Sequence, residues 1–142
     1  MSTQRDRAWI ERNLPHKGRM NLLHEIVDFD DTRVRALARG HRDADHPLRV
    51  RGELPAVCGI EYGAQAAAAH GAACSAHPSG AGFLAGVRGV KLNARRLDDI
   101  AGDLQIEAEQ LGAGAAGVLY SFTVSGDGRL LVAGRVTVAF AK

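Results

Sequence analysis

An α+β fold is predicted for this chain, with one antiparallel sheet curled around a single long helix. Three observations predict it. Between Pro55 and Ala76 the sole formally charged side chain is Glu61, so a helix there has no charged face for water and must be covered on nearly all sides. The segments after it alternate apolar and polar residues with period two, the pattern of half-buried strands. Two further strand-like segments precede it. The order is therefore strand, strand, helix, strands, and a lone helix that needs cover calls for a sheet that wraps it.

Taken in order, residues 3–13 read as a short amphipathic helix, with Ala8, Trp9 and Ile10 among charges. Ser2 or Thr3 can cap it, and Leu14-Pro15 ends it, because the residue before proline is pushed out of the helical region. Residues 22–29 read as a strand, Asp30-Asp31 as a turn, and 32–39 as a second strand in which Val34, Ala36 and Ala38 alternate with charge. A loop over 40–53, rich in charge and histidine, feeds the central helix at about 55–76. Pro55 suits its first turn, where a missing N–H loses no partner. Within the helix, Gly59 and Gly63 lie four apart and give a smooth face for close sheet packing. Strands follow at 83–92, 104–111, 118–124 and 132–140, with Asp127-Gly128 as a hairpin turn signal. No repeat, linker or low-complexity tail interrupts them, so residues 1–142 are expected to form one domain of hot-dog architecture.

One glycine-rich run, 112–117, has the spacing GxGxxG. A dinucleotide fingerprint needs a helix next, to receive the pyrophosphate on its N-terminus. Here an alternating strand follows, which makes the run a hairpin loop.

Composition narrows the function. A length of 142 residues fits one domain. The hydrophobic fraction is 46%, much of it alanine, and aromatics make up 5%, which points to close backbone packing and not to a roomy cavity. A net charge of +2 with dispersed arginines is no footprint for nucleic acid. Cys58 and Cys74 form no CxxC pair and have no metal-spaced histidines near them, so free thiols and no metal site are expected. The polar start is unlike a secretory signal, and no apolar run approaches the ~20 residues of a membrane span. A cytoplasmic protein is expected.

Glu61 is the first candidate for chemistry. A carboxyl buried in a nearly uncharged helix must be paired or held protonated, and a protonated one can donate near neutral pH. Gln65 lies one turn on, on the same face, where it can orient Glu61 or satisfy buried backbone. His41 and His46, in the loop before the helix, are the candidate bases; His16, His24, His70 and His77 are expected to be structural. At the helix start, the N–H groups of Ala56 and Val57 can polarise a carbonyl oxygen.

Leu14-Pro15-His16 followed by Met20 and Leu22-Leu23 resembles the opening of 3-hydroxyacyl-acyl-carrier-protein dehydratases. Pro55-Ala56-Val57, Glu61 and Gln65-Ala66-Ala67 resemble that family's central helix, and Gly59-Ile60-Glu61-Tyr62 with His70-Gly71 is similar to its aryl-polyene branch. The resemblance implies dehydration of a 3-hydroxyacyl thioester to the trans-2-enoyl thioester, without metal or organic cofactor. A histidine of one subunit would face the Glu of another, in a homodimer or a heterodimer with a second hot-dog protein. It implies Glu61 as acid, Gln65 as its support, and Ala56 in place of a glycine whose N–H polarises the thioester. The family's Gly-His-Phe-Pro-Gly stretch is missing; His41 takes the base position, with His46 second. An acyl carrier protein would deliver the substrate on its pantetheine arm. The alternatives are a hot-dog thioesterase and a non-catalytic, carrier-binding partner subunit of a heterodimeric dehydratase.

Overall fold

A computed structural model describes residues 3–16, 18–74 and 82–140. The first helix, α1 (Arg7–Asn13), starts later than predicted. Its cap is Asp6, whose carboxylate accepts from Trp9 N–H at 3.0 Å, a strongly preferred arrangement at this position. Thr3 cannot serve, because the chain at Arg5 is already bridged antiparallel to Ile26; Ser2 lies outside the described residues. Leu14 turns extended and ends the helix, as its proline neighbour requires.

The hairpin of β1 (Glu25–Phe29) and β2 (Arg33–Ala38) forms as predicted. Asp30 Oδ1 closes its turn by accepting from the N–H groups of Thr32 and Arg33 at 2.9 and 2.8 Å. The first strand starts three residues later than predicted, because Leu22 N–H is drawn away to a side chain of the central helix.

That helix, α2 (Gly59–Ala73), follows a 3-10 turn at Ala56–Cys58. Pro55 caps the turn in an extended conformation and does not lie within it. The predicted extension through 76, and His77, lie outside the described residues. The remaining strands are β3 (Gly82–Leu92), β4 (Leu104–Gly114), β5 (Gly117–Gly126) and β6 (Arg129–Phe140). They join β1 and β2 in one antiparallel sheet of order β1-β2-β4-β5-β6-β3, which leaves β3 at an edge. The glycine-rich run is a hairpin, tighter than predicted: Gly112 and Gly114 still pair with β5, and Ala115-Ala116 make the turn. Asp127 and Gly128 both have positive φ, the backbone of the two-residue turn expected there.

The sheet wraps α2. Every residue from Tyr62 to Gly71 is buried, and the helix packs on β2, β3, β4, β5 and β6. Two glycines set the closeness of that packing. A Cβ on Gly59 would lie 2.8 Å from Val132 Cγ2, and one on Gly63 would lie 2.4 Å from the Phe122 ring. The result is the hot-dog fold.

Candidate functional site

The start of α2 is tied down on one side by the 93–98 segment. Ala56 N–H donates to Arg95 O at 3.0 Å, Leu97 N–H to Leu54 O at 2.8 Å, and Leu54 N–H to Asp98 Oδ1 at 2.9 Å. The Arg96 guanidinium, bonded to Asp98, holds that carboxyl far below the usual carboxylate range. Arg49 stands 3.5 Å from the same carboxylate and donates to the carbonyls of Arg42, Asp43 and Gly52. The loop over 42–53 is thereby knotted against the helix start. One consequence corrects the sequence reading: the Ala56 N–H is taken by Arg95 and offers nothing to a ligand. Val57 N–H has no acceptor among the described residues, and the residue is 49% exposed.

Glu61 lies in the first turn of α2. Gly59 and Gly63 face the sheet, so helical periodicity puts Glu61 on the opposite side, in line with Val57 and Ala64. There it is part-exposed, not sealed as predicted; the sheet closes over residues 62–71 but leaves the first turn open. Among the described residues its carboxylate makes no hydrogen bond or ion pair. Its charge reaches two neighbours: burial and then Glu61 push the Cys58 thiol up, and Glu61 offsets part of the burial that lowers His16.

Gln65 is 1% exposed and spends its amide on backbone. Its Oε1 accepts from Leu22 N–H at 2.9 Å and its Nε2 donates to Met20 O at 2.7 Å. Of its two predicted uses, satisfying buried backbone is the one seen, and the bonds pin residues 20–22 against α2.

The two loop histidines are buried, and their ring nitrogens bond to groups other than Glu61. His46 Nδ1 accepts from Leu48 N–H at 3.1 Å, which puts its proton on Nε2, 3.0 Å from the Tyr62 hydroxyl. Both nitrogens are thus engaged, and burial, with Arg49 next, lowers its pKa. His46 also lines a cleft of 80 Å³ with Asn21, His24 and Asp43, to which Glu61 does not contribute. His41 is 1% exposed; its Nε2–H donates to Ile100 O at 2.9 Å, and its Nδ1 is buried with no partner among the described residues. His70 is structural, donating from Nε2 to Asp30 O at 2.9 Å and accepting at Nδ1 from the Tyr120 hydroxyl at 2.8 Å. His16, half-buried at the Leu14-Pro15-His16 motif, is a histidine whose pKa burial lowers and Glu61 partly restores.

Among the described residues, no cluster of three or more His, Cys, Asp or Glu is placed to hold a metal ion, and no helix is long and apolar enough to cross a membrane.

Similar folds are found among solved structures. The dehydratase heterocomplex ApeI:P from Xenorhabdus doucetiae is 26% identical, with TM-score 0.78 over 94% of this chain and 91% of that one. AziG from S. sahachiroi is 19% identical, with TM-score 0.63 over 87% and 93%. A mutant thioesterase from Pseudomonas aeruginosa is 18% identical, with TM-score 0.55 over 82% and 79%. The last two likenesses are of fold alone. No curated protein matches the sequence. The family model of ApeP-like proteins, described as ApeP dehydratase, matches residues 8–142, and the chain belongs to that dehydratase family.

Proposed function

We propose that this chain supplies the acid half of a dehydratase site completed by a second hot-dog subunit, and that the site removes water reversibly from a 3-hydroxyacyl thioester. The observation that carries this reading is Glu61: a carboxyl with no hydrogen-bond or ion-pair partner among the described residues, on the open face of the buried helix, one turn from the Val57 N–H, which has no acceptor among them either. In the proposed reaction the base removes the C2 proton, made acidic by the thioester carbonyl. Val57 N–H holds the carbonyl oxygen as negative charge grows on it. The Glu61 carboxyl gives its proton to the C3 hydroxyl, which leaves as water.

The base comes from the other subunit. His46 has no free lone pair while Leu48 and Tyr62 occupy it, and the one free nitrogen of His41 is buried within this chain. The similarity to a heterocomplex of two proteins supports a heteromeric partner, and the free edge of β3 offers a ladder for it. An acyl carrier protein would present the substrate on its pantetheine arm. Free thiols at Cys58 and Cys74 suit a reducing compartment such as the cytoplasm.

The test combines the purified chain with an ApeI-like subunit from the same source and a carrier-bound 3-hydroxyacyl thioester. The expected result is trans-2-enoyl product from the pair, with Glu61→Gln lowering kcat by ~10²-fold or more at unchanged complex formation. Wild-type turnover by Glu61→Gln, or hydrolysis of a saturated acyl thioester with no enoyl product, would overturn the reading.

A further inference from the structure

We propose that the free edge of β3 selects its partner by charge: it disfavours a second copy of this chain and fits a hot-dog subunit whose own edge strand carries carboxylates. The inference rests on the heteromeric half of the reading above, and not on the chemistry given to Glu61.

Charge divides the sheet into two halves. β1, β2 and β4 hold Glu25, Asp28, Glu107 and Glu109 alongside Arg33 and Arg35. Both arginines are paired, Arg33 with Glu109 at 3.3 Å and Arg35 with Asp28. β3, β5 and β6 hold Arg88, Lys91, Arg129 and Arg135, with no Asp or Glu. Among the described residues, Arg88, Lys91 and Arg135 have no carboxylate partner, and Arg88 lies directly opposite Arg135.

A bulge sorts the side chains of this edge. Arg88 is opposite Arg135 and Lys91 opposite Ala133, so three steps along β3 match two along β6. Gly89, at φ 62, lies in the bulge, in a conformation that glycine adopts without strain. In a regular strand, positions three apart point to opposite faces. Here both cations share the outer face with Arg135, while Val87 and Leu92 share the inner face with Val136 and Val132. The two β6 valines are 0% exposed, but Val87 and Leu92 are 45% and 50% exposed. The apolar stripe of the core thus runs out to the edge and stops uncovered, beside a strip of unbalanced positive charge.

Self-pairing at this edge lays the 87–92 segment of one copy beside that of the other, each covering the other's Val87 and Leu92. Arg88 and Lys91 lie between those residues, so the cations of the two copies meet across one strand spacing of about 5 Å. That is inside the Debye length of about 8 Å at physiological salt. Neither strand brings a carboxylate, and like charges set opposite each other destabilise a strand pair. A strand with apolar residues toward the helix and Asp or Glu on its outer face supplies the ladder, the apolar cover and the counter-charge together.

The first test needs only this chain and a variant combining Arg88→Glu with Lys91→Glu. Both side chains are exposed, so the variant should melt as the wild type does. In sedimentation at about 0.1 M salt, wild type mixed with variant should associate ~10-fold or more tightly than wild type with itself, and the preference should shrink at about 1 M salt. Wild type that pairs with itself as tightly as with the variant overturns the proposal. Against an ApeI-like subunit from the same source, the variant should bind ~10-fold or more weakly than wild type at low salt. Unchanged affinity sinks the idea, and so does a variant that keeps this subunit but loses only the acyl carrier protein. A wild-type chain that binds no such subunit, while the mixed dimer forms, counts against the heteromeric reading and leaves the charge selection standing. An intact, salt-sensitive heteromer that makes no enoyl product counts against the dehydratase chemistry alone.

Discussion

At Gly63, a Cβ would meet the Phe122 ring at 2.4 Å, deep in the contact between α2 and β5. Phe122 is 2% exposed and held on both sides, so the ring cannot yield cheaply. Gly63→Ala should therefore lower stability by about 1–3 kcal/mol, through overpacking and despite the gain in helix propensity. Gly112 is the control, since a Cβ there meets nothing within 4 Å; Gly112→Ala should stay within about 0.5 kcal/mol of the wild type. Urea midpoints of the two variants check the pair, and an unaffected Gly63→Ala would mean that the helix sits farther from the sheet. The four-residue spacing of Gly59 and Gly63 was enough to read this packing from the sequence. The use of Gln65 was not, because its partners are backbone atoms of Met20 and Leu22, some 43 to 45 positions away. How the loop histidines turn within this chain was not legible either, because proximity in sequence to the helix start says nothing about which way a ring points.

Among the elements, the turn at residues 50–53 is under local strain. Val50 N–H donates to Glu53 O at 2.7 Å and Glu53 N–H to Val50 O at 3.1 Å, with Arg51 at φ 53 and Gly52 at φ 80 between them. Two-residue turns of this hand favour Asn or Gly at the first position, and a long side chain there is costly. Arg51→Asn should raise stability by about 0.5–1 kcal/mol, read as a higher melting temperature; a decrease would show that the arginine side chain holds the knotted loop together. The sequence showed no such turn, because Arg-Gly is a poor match to the usual signals. By contrast α2, β4 and β5 were plain: one charged residue in the helix, and period-two alternation in strands whose burial alternates in the same way. Element ends were less legible. The first residues of β1 are set by a contact with α2, not by local composition.

For the whole molecule, acid should loosen the ties that hold the N-terminal segment and the histidine loop around α2. His16, His24 and His46 all have pKa values lowered from 6.5, in each case chiefly by burial. Each favours the neutral ring in the folded chain, whereas the unfolded chain takes up a proton near 6.5. Between the folded and unfolded values the unfolded state binds more protons, so stability falls as pH falls through that window and is fully present above it. For His46 the structural reason is direct: a proton on Nδ1 would face Leu48 N–H, which now donates to that atom. Asp98, Asp28 and Asp30 are lowered too, by hydrogen bonds from Arg96, Arg35 and the Thr32 backbone respectively. Their contribution is lost only at lower pH, below the ordinary carboxylate range. The melting temperature of the isolated chain should thus be flat from about pH 8.5 to 7, drop from about 6.5 downward, and drop again below about 4. His46→Gln should flatten the first decline while leaving the second in place. A melting temperature that holds level down to pH 5 would show that these rings are already free of the interior, and with it that the segments around the start of α2 are not held as described.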